Sequence, residues 1–199
     1  MRREHKEIED APQINYLLNI EDTLVDKSDY HRSVTNHSAT TINGYFEVTS
    51  NKTFDIPYSI DVCKWNQDGY TLEMDCYQIN SMAGNANGGG HGTFVCQGNN
   101  PGSVDYWSFG LRAQKLTFYY YSGAQRGTSG PITVPLNEWH HIKFRYYQGV
   151  VQTFLDGNLE STINIQGTPQ FSSSYKLVFM GYGASVPGAR IKNIRIYIL

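Results

Sequence analysis

Apolar and polar residues alternate with a period of two along much of the chain. Over residues 70–77, Tyr70, Leu72, Met74 and Cys76 fall on one side; Thr71, Glu73, Asp75 and Tyr77 fall on the other. Trp139–Tyr147 repeats the pattern, with Ile142, Phe144 and Tyr146 opposed to His141, Lys143, Arg145 and Tyr147. One side enters a core and the other meets water, as a strand of a two-sheet sandwich requires. Further short runs predict strands at Tyr16–Ile20, Tyr45–Val48, Thr53–Ile56, 58–65, 93–97, 106–112, Lys115–Tyr121, Val150–Leu155, 158–163, 175–182 and Ala189–Ile198. Asn43-Gly44 is a turn dipeptide, Asp156-Gly157 closes a hairpin with residues that tolerate positive φ, and Pro57 stops a ladder. No helix is predicted after residue 12. The pattern predicts an all-β, two-sheet antiparallel sandwich.

Composition agrees with that fold. The 199 residues fit one domain, and only 17% are charged, against roughly 25% in an average globular domain. Tyr (15) and Gly (19) fill the difference, which suits short strands and turns rather than a helical bundle. A net charge of −2 argues against nucleic acid as a partner, because such binding rests on phosphate neutralisation. No stretch of 18 apolar residues occurs, so no membrane-spanning helix is expected. Seven of the first ten residues are charged. They set off residues 1–12 as a short charged arm, with the sandwich at 13–199. The arm has no apolar stretch of the secretory kind, so synthesis in the cytoplasm is expected. Cys63, Cys76 and Cys96 are odd in number and lack metal-finger spacing, which predicts reduced, buried thiols.

Several segments, in order, resemble the laminin-G-like domains of the concanavalin-A-like lectin/glucanase superfamily. Trp139-His140-His141-Ile142 resembles their W-H-H-hydrophobic strand, and Phe154-Leu155-Asp156-Gly157-Asn158-Leu159 their Y-V-D-G-x-L hairpin. Leu177-Val178-Phe179-Met180-Gly181 resembles their L-x-I-G strand, and Ile191-Lys192-Asn193-Ile194-Arg195-Ile196-Tyr197 their closing I-D-N-V-R-I-Y strand. Tyr70-Thr71-Leu72-Glu73-Met74 is similar to F-T-I-E-F, and Leu17-Leu18-Asn19-Ile20 with Asp26-Lys27-Ser28 echoes their opening motif. The resemblance covers roughly residues 14–199 and implies a concanavalin-A-like jelly roll. Lys192 departs from it, standing where the family commonly has Asp.

That superfamily includes glycosidases with a Glu-x-Asp-x-Glu or Glu-x-Asp-x-x-Glu strand. Here Glu73 and Asp75 match, but the third position is Tyr77 or Gln78, which leaves no acid/base carboxyl; no catalytic activity is expected. There is no nucleophile elbow and no phosphate-binding loop in 84–92. His140 and His141 point to opposite faces and cannot share a task. The candidate ligand-binding residues are Asn85, Asn87 and His91 in the glycine-rich loop, and Tyr119, Tyr121 and Tyr147 as outward rings, with Tyr147 expected on a neighbouring strand. Rim calcium, which many relatives bind, would fall to the loose acidic trio Asp22, Asp26 and Asp29. No cofactor is expected.

The expected role is a non-catalytic virion structural or adhesion protein of a bacteriophage: a head decoration, fibre or tail component. Its expected partners are other virion subunits, through residues 1–12, and cell-surface glycans. The alternatives are a stand-alone carbohydrate-binding module and a glycoside hydrolase with a degenerate site.

Overall fold

The computed structural model describes residues 16–48, 52–65, 69–79, 92–97, 107–112, 114–167, 174–179 and 189–198. The charged arm, and Asn85, Asn87 and His91 of the glycine-rich loop, lie outside these residues. The described elements are β1 (Tyr16–Ile20), β2 (Thr35–His37), β3 (Thr40–Ile42), β4 (Tyr45–Val48), β5 (Thr53–Ile56), α1 (Ile60–Cys63), β6 (Tyr70–Gln78), β7 (Gly92–Gln97), β8 (Trp107–Arg112), β9 (Lys115–Tyr121), β10 (Gln125–Ser129), β11 (Trp139–Tyr147), β12 (Val150–Leu155), β13 (Asn158–Asn164), β14 (Leu177–Phe179) and β15 (Ala189–Ile198). They form two antiparallel sheets. The eight-stranded sheet runs β13-β12-β11-β6-β15-β4-β3, with β1 also paired to β15; the seven-stranded sheet runs β10-β9-β8-β7-β14-β5-β2. This is the expected jelly-roll sandwich.

The inner faces follow the alternation. Leu72, Met74 and Cys76 of β6, Ile142 and Phe144 of β11, and Ile191, Ile194 and Ile196 of β15 are all buried. From the other sheet come Phe54, Phe94, Val95, Phe109, Phe118 and Phe179. Phe144 meets Trp107, Phe109 and Phe118 at ring distances of 5.6, 5.2 and 5.1 Å, which ties the sheets together through aromatic contacts. The hairpins β3–β4, β11–β12 and β12–β13 each turn on two residues of positive φ: Asn43-Gly44, Gln148-Gly149 and Asp156-Gly157. These are the backbone angles that match the right-handed twist of the flanking strands.

Two expectations are corrected. Residues 58–65 do not form a strand, and the chain has a helical turn after residue 12. Pro57 ends β5, and α1 follows, with the N–H groups of Val62 and Cys63 both reaching the Ser59 carbonyl. Val62, Cys63 and Trp65 are buried while Ile60 is exposed, a spacing that suits one helical turn rather than alternation. β2, β3 and β10 are short and largely polar, and no alternation predicts them.

Candidate functional site

The outer face of the eight-stranded sheet gathers the chemistry that the pattern placed on outward positions. Register sets its rows. Tyr77 lies between Arg190 and Trp139, Asp75 between Lys192 and His141, and Glu73 between Arg195 and Lys143. Lys192 and Arg195 are three residues apart, yet both face outward. A β-bulge at Asn193, whose φ is +52°, absorbs the extra residue and returns Ile194 to the core.

His141 bridges the two carboxylates. Its Nδ1 donates to Asp75 Oδ1 at 2.8 Å, and its Nε2 stands 3.7 Å from Glu73 Oε2, an ion-pair contact. Asn193 Nδ2 donates to Asp75 Oδ2 at 2.6 Å, and the Tyr197 hydroxyl donates to Glu73 Oε2 at 2.9 Å. Arg195 Nη1 lies 3.6 Å from Glu73 Oε1. The hydrogen bond to Asp75 and the approach of Glu73 outweigh burial and raise the His141 imidazole to about 9, so it is charged at neutral pH. Burial by itself pushes both carboxyls up. For Glu73, His141, Tyr197 and Arg195 outweigh it; for Asp75, His141, Asn193 and Lys192 do; both stay below the usual range. The result is an ionised, internally matched cluster.

Beside it stands an aromatic group. Trp139, 37% exposed, meets Tyr77 and Tyr45 at ring distances of 5.5 and 5.9 Å. Lys192 Nζ lies 4.2 Å from the Trp139 ring, and the Arg190 guanidinium lies 5.0 Å from each of the rings of Tyr45 and Tyr77. Two strands further along, Lys143 Nζ lies 4.6 Å from the Phe154 ring. Rings and cations alternate across this face. Sequence reasoning did not single out Trp139, Tyr77 or Tyr45 as site residues. Alternation puts Tyr77 outward, but their meeting depends on the β11-β6-β15-β4 order, which no local pattern encodes.

The three described candidate tyrosines do not converge. Tyr119 and Tyr121 are half-buried on the outer face of the seven-stranded sheet, and Tyr147 is exposed on the outer face of the other. Tyr147 therefore does not join them on a neighbouring strand as expected. The Tyr119 ring packs over Gly127, where a Cβ would come within 2.7 Å of it.

His140 faces the other way from His141 and is bonded through Nδ1 to Asp156 Oδ2 at 2.8 Å, clamping the β12–β13 turn to β11. Asp156 also accepts the His141 backbone N–H at 2.8 Å. Of the acidic trio, Asp22 pairs with Lys27, and the buried Asp26 accepts four hydrogen bonds from Asn19, Ser28 and Arg32. Among the described residues no group of three or more His, Cys, Asp or Glu is arranged to hold a metal ion, and no helix is long and apolar enough to cross a membrane.

Solved structures share this fold at low identity. A botulinum neurotoxin DC binding domain in complex with SialylT superposes with a TM-score of 0.68 at 17% identity, over 92% of this chain and 47% of that one. A botulinum neurotoxin type C structure, whose cell entry depends upon interaction with two ganglioside molecules, gives 0.67 at 15% identity over 92% and 47%. The binding domain of Paraclostridial Mosquitocidal Protein 1 gives 0.71 at 13% identity over 92% and 49%. The chain thus spans about half the length of each. No curated protein matches it in sequence. Residues 65–197, the stretch from Trp65 to the end of the carboxylate-bearing face, match the Laminin_G_3 family, and the chain therefore belongs to the concanavalin A-like lectin/glucanases superfamily.

Proposed function

We propose that the chain is a non-catalytic recognition module that binds glycan on the outer face of its eight-stranded sheet. The observation that carries this reading is Trp139, exposed and held by Tyr77, Tyr45 and Lys192. A ring fixed before binding offers the apolar face of a pyranose a stacking partner at little cost in ordering. Lys192, with its ammonium 4.2 Å from the ring, is placed to donate to the hydroxyls of a stacked sugar. The glycan-related neurotoxin structures support a sugar as the first ligand class to test.

The same geometry argues against hydrolysis. A glycosidase of the two-carboxyl kind needs one carboxyl protonated at working pH to deliver its proton. Glu73 and Asp75 are both held ionised, the next outward position on the strand is Tyr77, and Gln78 is buried.

A glycan array probed with the chain and with Trp139→Ala tests the reading. Saturable binding that falls about tenfold in the variant, with no reducing ends released from bound sugars, is expected. An array without hits, or turnover of a bound sugar, contradicts it.

Assembly into a virion, through residues 1–12, is a second reading. The observation favouring it is the density of charge there, seven of the first ten residues. Light scattering on the full chain and on one starting at Gln13 tests it. Self-association lost with the arm supports an assembly role, and identical monomers count against self-assembly through the arm.

A further inference from the structure

The charge on the candidate face is lopsided. The outward strand positions carry five cationic side chains, Lys143, Arg145, Arg190, Lys192 and Arg195, in a chain whose net charge is −2. The carboxylates on the same strands are already matched inward. Glu47 lies 3.7 Å from Arg190, Glu73 meets Tyr197, Arg195 and His141, and Asp75 meets His141 and Asn193. Lys143 and Lys192 are held differently. Each ammonium rests on a ring, at 4.6 Å from Phe154 and 4.2 Å from Trp139. A cation over a ring is oriented and partly desolvated, but its charge is not cancelled. Lys143 and Lys192 stand on the two strands that flank β6, opposite Glu73 and Asp75 respectively.

We infer that the ligand of this face is an acidic glycan, whose carboxylate or sulfate groups are taken by Lys143 and Lys192 while a sugar ring stacks on Trp139. The inference rests on the glycan reading above and names its ligand class. Charge-assisted contacts from two ammonium groups favour an anionic sugar over a neutral one. The Trp139 ring, 4.2 Å from the Lys192 ammonium, favours a sugar over a purely electrostatic partner.

Calorimetric titration with three probes tests this: oligogalacturonate, dextran sulfate and neutral dextran, with vesicles containing phosphatidylserine as a fourth arm. The expected result is binding of at least one acidic probe about tenfold or more tighter than dextran, weakening as salt rises from about 0.05 to about 0.3 M. Lys143→Gln with Lys192→Gln should bring the acidic probe down about tenfold or more, towards the level of the neutral one, and Trp139→Ala should weaken both. Both substitutions are on the surface, and an unchanged circular dichroism spectrum checks the fold. Equal binding of acidic and neutral sugars overturns the inference and leaves the glycan reading standing. Vesicle binding without binding of the acidic sugars also overturns it, in favour of a lipid surface. If neither these probes nor a glycan array gives binding, the glycan reading itself has failed.

Discussion

Asp26 shows how one side chain can fix a loop. It is 1% exposed, and its two oxygens accept from the backbone N–H of Asn19, Ser28 and Arg32 and from the Ser28 hydroxyl. Burial raises its carboxyl, but these four donors outweigh it and hold it ionised. Asp26→Ala strands buried donors and should cost roughly 3 kcal/mol, read as a lower urea midpoint. His141 gives a pH signature. Its folded value of about 9 lies above its ordinary 6.5, so its contribution is complete below about pH 6.5 and is lost as pH rises through 9. Glu73 and Asp75 are lowered from 4.5 and 3.8, so theirs is present above those values and is lost as pH falls through the lowered ones. Stability from this cluster should be greatest between about pH 4.5 and 6.5. It should decline by about 1–2 kcal/mol toward pH 9, after discounting for screening of a partly exposed ring. Chemical denaturation across that range checks it, and His141→Gln should flatten the alkaline limb. The outward placement of His141, Glu73 and Asp75 was legible in the sequence. Their pairing was not, because the β6–β11 register joins residues 66 positions apart.

Among strands, legibility followed length and contrast. β6, β9, β11 and β15 carry long alternations that show in both pattern and burial. β2, β3 and β10 are three to five residues long and mostly polar, so they hold their places by pairing with longer strands rather than by an apolar signal of their own. β10 depends on a close approach. Gly127 lies under the Tyr119 ring, and a methyl there would come within 2.7 Å of the ring and 2.9 Å of the Phe118 carbonyl. Gly127→Ala should cost roughly 1–3 kcal/mol and expose Tyr119, seen as a lower melting temperature and a changed near-ultraviolet dichroism signal. No loss of stability would mean that β10 can shift away freely.

At the scale of the whole molecule, all three cysteines are buried, Cys63 and Cys76 within the core between the two sheets. Burial pushes the Cys63 thiol to about 11 and the Cys96 thiol to about 12, and raises that of Cys76 further. A thiol reagent should find none of the three in the native state and all three after denaturation; a fast-reacting native thiol would contradict this packing. The fold class was legible throughout, because a period of two, turn dipeptides and ordered motifs all point to one sandwich. The ligand-binding face was not, because its parts come from β4, β6, β11 and β15, which only topology brings together. The tryptophans supply the most direct test of that face. Trp65 and Trp107 are 0% and 1% exposed, whereas Trp139 is 37% exposed, so a ligand-induced change in emission reports on Trp139. Titration with a sugar that binds should give a saturable blue shift with the same midpoint as calorimetry, absent in Trp139→Phe. Saturable binding with unchanged emission would place the ligand elsewhere on the sandwich and contradict the assignment.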